Sequence, residues 1–389
     1  MKEEIIKKAK ELENYIIEKR RDFHMYPELK YEEERTSQIV TEELKKLGYE
    51  VIRTAKTGVI GILRGSKEGK TVALRADMDA LPVQEENDVP YKSRILGKMH
   101  ACGHDAHVAM LLGAARILAE IKDNLNGTVK LIFQPAEEGG LGAKKIVEEG
   151  HLDDVDAVFG IHVWAELPSG AIGIKSGPLL ASADAFRVII KGKGGHGAVP
   201  HLSIDPIAAS VDLVNAYQKI ISREIDPLQP AVISVTSIKA GTTFNVIPET
   251  AELLGTIRTF SEEVRNYIIE RMEQITEEYS KGMRTEGKFE LTMEYIPPTI
   301  NDENLAKFAK DVLSDIGKVV EPRPTMGAED FAFYTTKSPG LFILLGIRNE
   351  EKGIIYPHHH PKFNVDEDVL WIGSAIYSLL AYKYLEGRI

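Results

Sequence analysis

A chain of 389 residues, 43% hydrophobic and 28% charged, has ordinary globular chemistry and enough length for two domains or more. Its formal net charge of -11 argues against nucleic acid or an anionic membrane as the main partner, since both would repel it. No stretch approaches the roughly 20 apolar residues of a membrane span, and a single cysteine, Cys102, excludes an internal disulfide.

In chain order, the opening segment MKEEIIKKAKELENYIIEKRRDF alternates charge with apolar residues at helical spacing and lacks the apolar core of a signal peptide, which reads as a cytoplasmic protein. Amphipathic helices are predicted over 4–19 and 32–47, the second with Ile39, Val40, Leu44 and Leu47 on one face and Gly48 as a C-cap. Short strands follow at 50–53, 59–63 and 71–76. Then come a mostly buried helix over 107–121, a strand over 128–134, a helix over 143–149 and an apolar run over 157–163. Strands alternating with helices predict an α/β layer: a mostly parallel sheet flanked by helices.

The pattern then changes. Strand 184–191, helix 204–222, strands 231–238 and 251–260, helix 261–279 and strand 288–295 spell βαββαβ, the ferredoxin-like plan, and Pro297 and Pro298 mark its exit. The α/β rhythm resumes with helix 303–314, strand 341–345 and helix 368–385. The expectation is a discontinuous catalytic domain, 1–179 and 296–389, with a smaller domain, 180–295, inserted into it.

The histidines cluster. His100, His104 and His107 share one turn, His358, His359 and His360 another, and His162 and His196 each follow a predicted strand; His24, His151 and His201 read as ordinary surface or core residues. In MHACGHDAH, Cys102 and His104 place a soft thiolate and an imidazole two residues apart on a turn entering a helix, where both can reach one metal. Zinc accepts such nitrogen and sulfur ligands, whereas harder cations prefer oxygen. Without a second cysteine, the remaining option is a mixed site with carboxylates, which is more typical of catalysis. FQPAEEGG supplies them: of Glu137 and Glu138, one can bind metal while the other faces a metal-held water as its base. A solvated pair favoured by a helix dipole is the competing explanation. Asp77 and Asp79, in RADMDALP, end a strand at the sheet edge where α/β enzymes keep their sites, although Asp79 also suits a turn. YPHHHP, at 356–361, is placed to supply a distant ligand.

Taken in order, ALRADMDALP, MHACGHDAHVAM, IFQPAEEGG, FGIHVW, GKGGHGAVPH, FNVIPE, GTIRTF, MGAEDFAFY and HHHPKF resemble the co-catalytic metallopeptidase and amidohydrolase family of aminoacylases and carboxypeptidases. The branch it resembles contains hippurate hydrolase, auxin-conjugate hydrolases, N-acetyldiaminopimelate deacetylase and archaeal carboxypeptidases. The resemblance covers nearly the whole chain. It implies two divalent ions per subunit, zinc first and manganese, cobalt or nickel as alternatives, held by Cys102, His104, Glu138, His162 and His359. Cys102 would bridge them, where an aspartate does so in many relatives outside the branch. Of the three histidines in HHHPKF, the family pattern requires only the middle one. The resemblance also implies Glu137 as general base for a metal-bound water, Asp79 as the partner that orients a metal-bound histidine, and His196 as a lid residue that contacts the carbonyl oxygen. Asn245 and Arg258 would hold the substrate's carboxylate, which a guanidinium can grip bidentately. The inserted domain corresponds to the family's lid and dimerisation domain, so a homodimer or homotetramer is implied. In relatives the counterpart of His196 can reach the other subunit's site. The implied activity is hydrolysis of N-acyl amino acids, with carboxypeptidase action on short peptides or N-blocked amino acids as the alternative.

Two other classes fare worse. GKGGHG, at 192–197, satisfies the G-x-G-x-x-G of dinucleotide-binding oxidoreductases, but that fingerprint opens a helix at once and here Ala198, Val199 and Pro200 continue as loop. A non-catalytic scaffold should have lost a ligand or the base, yet all five ligand positions and Glu137 are present.

Overall fold

The computed structural model describes residues 1–387. The chain forms two compact units: Met1–Gly177 with Ile300–Arg323 and the residues from Asp330 on, and Pro178–Thr299 with Pro324–Glu329.

The first unit is built on a sheet in the order Glu50–Thr54, Gly58–Arg64, Asn126–Gln134, Lys67–Asp77, Ala157–Pro168, Gly340–Arg348, Ile172–Gly173, Val319–Val320. Its central strands, from Asn126–Gln134 to Gly340–Arg348, are parallel, and the edge formed by Glu50–Thr54 and Gly58–Arg64 is antiparallel. Parallel strands covered on both faces need near-continuous apolar runs, which these have. Val72, Leu74, Leu131, Phe133, Phe159, Ile161, Leu341 and Ile343 enter one core with the helices His104–Glu120 and Leu370–Leu385. Both helices lack a polar stripe and are buried on almost every side, as that composition demands. Because side chains alternate along a strand, the intervening positions Arg75, Asp77, Gln134 and His162 occupy the other face, and all four are buried. Polar chemistry is thereby concentrated on one side of the sheet.

Helix His104–Glu120 begins three residues before the predicted start at 107. Gly103 is the cause: it turns the chain at a φ of +88°, and a Cβ there would lie 2.4 Å from Val163 Cγ2. The predicted helix 4–19 is instead two, Lys2–Glu11 and Glu13–Met25, meeting at Leu12. The two-residue strands Ile172–Gly173 and Val319–Val320 are too short to leave a periodic signal.

The extension to Met25 carries Arg20 and His24 into the interior. Arg20 is fully buried and donates to Asp105 Oδ2 (2.8 Å), Glu367 Oε1 (3.1 Å) and Asn364 Oδ1 (3.0 Å). His24 bridges Asp105 (2.7 Å) and Glu85 (3.1 Å). Burial pushes the Asp105 carboxyl up, but Arg20 and then His24 outweigh it and hold it well below its ordinary value. A carboxylate depressed in this way stabilises the fold above its unfolded pKa, about 4, and that contribution disappears as pH falls. Arg20→Met is therefore expected to cost about 3–5 kcal/mol at neutral pH, because it strands buried carboxylates, and to flatten the acid side of the stability curve. Urea titrations across pH check both; a variant as stable as the parent at pH 7 would show that the cluster contributes nothing.

The second unit has a four-stranded antiparallel sheet in the order Ala231–Ala240, Thr250–Thr259, Asp184–Lys191, Glu286–Leu291. Helices Pro206–Lys219 and Glu262–Gly282 cover one face and bury Val188, Ile190, Leu213, Leu253, Ile257, Ile268 and Met272. Asp205 and Ser261 cap these helices by accepting from the amides of Ile207 and Val264. The topology is ferredoxin-like, with an added ribbon of Gly195–His196 and Val246–Ile247. Among the described residues no helix is long and apolar enough to cross a membrane.

Candidate metal centre

Strands Lys67–Asp77 and Asn126–Gln134 end side by side, with Asp77 opposite Gln134, so the loops leaving them start together. The second loop turns at once. Ala136 takes a left-handed φ of 56°, and the amides of Glu137 and Glu138 donate to the two carboxylate oxygens of Asp79 at 3.0 and 2.9 Å. Asp79 Oδ1 also lies 3.3 Å from His104 Nδ1. One carboxylate thus orients an imidazole and the turn that presents both glutamates.

His104 is fully buried, its Nε2 lies 3.5 Å from Asp77 Oδ2, and neither ring nitrogen makes a well-aligned hydrogen bond among the described residues. Burial alone would keep this ring neutral, yet Asp77 and then Asp79 raise it to about 10. A field strong enough to pin a proton on a buried imidazole is one that a divalent cation would relieve. Cys102 Sγ lies 3.5 Å from His162 Nε2. The other nitrogen of His162 donates to the Val163 carbonyl at 2.6 Å, which leaves the Nε2 lone pair facing the thiol. Burial, reinforced by His107 and His358, holds His162 well below its ordinary pKa, so the ring is neutral. His359 sits at a left-handed φ of 67°, its amide donates to the Ala101 carbonyl at 2.8 Å, and its Nε2 is 3.2 Å from Glu138 Oε1. Burial pushes Glu138 up, but His359 and His104 prevail and keep it ionised.

These donors form two groups, Cys102 with His104 and His162, and Cys102 with Glu138 and His359, each with all ligand atoms within 4.8 Å of one another. The thiol belongs to both. Glu137 falls within the same distance of His104 and Glu138. Sulfur, imidazole and carboxylate converging on an electronegative site, buried at His104 and His162 and open at the exposed His359, fit a pair of divalent cations of borderline softness.

Other histidines of the same turns are engaged by the protein. His107 accepts from the Val163 amide at Nε2 (2.9 Å) and donates from Nδ1 to Asp77 Oδ1 (2.5 Å). His358 Nε2 donates to the Val163 carbonyl at 2.9 Å, and burial lowers its pKa to about 4. The Asp77–His107 link was not visible in sequence, although the i, i+3 spacing of His104 and His107 on one helix face hints that they share surroundings.

In the second unit the ribbon brings His196 and Asn245 together: the residue after Asn245, Val246, pairs with His196, and the Gly197 amide donates to the Asn245 carbonyl at 2.8 Å. His196 is exposed, and its Nδ1 accepts from the Ala198 amide at 3.1 Å, so the proton resides on Nε2. Arg258 lies on strand Thr250–Thr259, on the face opposite Ile257 and Leu253. It is half-buried and makes no ion pair among the described residues; burial lowers its pKa, with Asp184 opposing.

A family model described as Peptidase family M20/M25/M40 matches residues 73–383. Thermostable carboxypeptidase 1 of Saccharolobus solfataricus is 50% identical over 383 residues, 97% of each chain. N-acetylcysteine deacetylase of Bacillus subtilis is 42% identical over 374 residues, 95% of this chain and 97% of the relative. Among solved structures, the Bacillus subtilis YXEP protein, described as a dinuclear metal binding peptidase of the M20 family, superposes with a TM-score of 0.86 at 38% identity, covering 97% of this chain and 99% of its own.

Proposed function

Since the chain belongs to peptidase family M20/M25/M40 and is a metal-dependent hydrolase, we propose that it hydrolyses N-acyl amino acids at a two-metal centre. The observation that carries this reading is the one thiol, Cys102, common to two donor groups that otherwise differ. His104 and His162 would complete one group, Glu138 and His359 the other, and the thiolate favours zinc over manganese, cobalt or nickel. When bound, the cations supply Lewis acidity, lowering the pKa of water and polarising an amide carbonyl.

The chain's own groups do the rest. Glu137 accepts a proton from the attacking water as its oxygen bonds to the acyl carbon. The same proton passes to the nitrogen as the C–N bond breaks, releasing acid and amine. Asp79 keeps the Glu137 turn and His104 in fixed relation. His196, with its proton on Nε2, is a donor suited to the developing negative charge on the carbonyl oxygen. Arg258 and Asn245 are assigned to the substrate's carboxylate; a half-buried guanidinium without an ion pair is suited to receive one. The open edge strand Ala231–Ala240, with Ile238 exposed, and the exposed Ile207 and Val211 of helix Pro206–Lys219 support assembly as a homodimer or homotetramer through this unit.

Carboxypeptidase action on short or N-blocked peptides is the second reading, favoured by the 50% identity to a thermostable carboxypeptidase. Rates on hippurate, N-acetyl-methionine and a panel of dipeptides decide between them. Both readings require the free carboxylate: hippuramide in place of hippurate, or Arg258→Met with hippurate, should lower kcat/KM by about 10–100-fold, the worth of a charged hydrogen bond. Equal rates on hippurate and its amide would rule out carboxylate recognition.

A further inference from the structure

The segment PELKYEE, residues 27–33, carries no role in the chemistry above, yet it binds the backbone of the turn that presents Glu137. The Ala136 amide donates to Glu33 Oε1 at 2.9 Å. Lys30 Nζ donates to the Glu138 carbonyl at 3.0 Å, and Tyr31 Oη donates to the Gly140 carbonyl at 2.7 Å. Together with the two amides held by Asp79, three successive N–H groups and two carbonyls of this turn are fixed from outside it.

The turn needs such support. Ala136 and Leu141, neither of them glycine, both lie in the left-handed region, at φ of 56° and 57°. Backbone of this kind persists only where the surroundings over-determine it. Glu33 is itself costly to the fold. It has no solvent exposure, its other oxygen accepts from Thr57 Oγ1 at 2.5 Å, and no ion pair to it is present among the described residues. Burial, against the Thr57 hydroxyl and with help from Asp79, raises it to about 7. An apolar residue would be the easier occupant if packing were the only demand.

We propose that Glu33, Lys30 and Tyr31 are positioning residues that hold Glu137 in line with its substrate. The proposal rests on the reading of Glu137 as the base. It separates from a purely structural role because the three side chains reach only main-chain atoms of the turn, so loosening them should lower turnover while leaving substrate affinity and metal content in place.

The test uses the full chain loaded with zinc, hippurate kinetics, metal counting by mass spectrometry and thermal melts. Glu33→Ala should lose about 10–100-fold in kcat, with KM changed by less than about threefold and metal content unchanged, the scale expected of a misplaced reacting group. Glu33→Gln, which keeps an oxygen for the Ala136 amide, should recover most of that loss. The double variant Lys30→Met/Tyr31→Phe, made on the outer side of the turn, should lose about 3–10-fold in kcat alone and decides the matter should Glu33→Ala not fold. Parental kcat in the double variant, or losses that follow metal content or KM, would overturn the proposal. Glu137→Gln runs alongside: an active Glu137→Gln removes the base reading itself, whereas an inactive one beside fully active variants of Glu33, Lys30 and Tyr31 removes only this inference.

Discussion

Glu137→Gln is expected to lower kcat by about 10³–10⁴-fold, the upper range for loss of a general base, while the chain keeps its bound metal. Glutamine has nearly the same shape and can still accept from the Asp330 amide, which lies 3.4 Å from Glu137 Oε1. It cannot take a proton from water. The neighbouring carboxylate gives the contrast: Glu138 belongs to the donor group with Cys102 and His359, so Glu138→Gln should lose metal and activity together. Kinetics paired with metal counting on both variants separates the two roles. A Glu137→Gln enzyme that turns over at the parental rate would leave the centre without its base.

Exhaustive chelation should reduce activity by more than about 10³-fold, because both water activation and carbonyl polarisation depend on the cations. Zinc, cobalt or manganese should restore it. The stripped protein should also melt earlier: a ligand at about 1,000 times its Kd contributes about 4 kcal/mol to the folded state. The structure gives the reason. Asp77, Asp79 and Glu138 surround His104, and without cations their charge is offset only in part, by a proton on that ring, by Arg75 3.0 Å from Asp77 and by His359 3.2 Å from Glu138. Scanning calorimetry on stripped and reloaded samples checks this, and unchanged activity in chelator contradicts any metal role.

Much of the architecture was legible because it rests on periodic patterns. The apolar strands 71–76, 128–134 and 157–163 lie inside Lys67–Asp77, Asn126–Gln134 and Ala157–Pro168. The Cys102–His104 spacing and the paired glutamates are local, so they too can be seen in one dimension. What escaped is the pairing of buried polar groups across long stretches of chain. His24, taken as an ordinary residue, bonds to Asp105 81 positions away. Glu33 reaches Ala136 across 103 positions. His107 and His358 look like ligands by type and differ from His104 only in the partners that occupy their nitrogens. No periodicity records such bonds; they follow from which strand ends meet.

The sheet order also dictates a sequence of assembly. Strand Gly340–Arg348 inserts beside Ala157–Pro168, and helix Leu370–Leu385 packs against His104–Glu120, so the first unit closes only when its last helix has left the ribosome. The ferredoxin-like unit has all its strands within 184–291 and meets no such delay. His359 arrives between that late strand and helix. A nascent chain therefore carries a completed ferredoxin-like sheet beside an open, half-built one, and His359, the last of the side chains assigned to the cations, joins only after strand Gly340–Arg348 has been made.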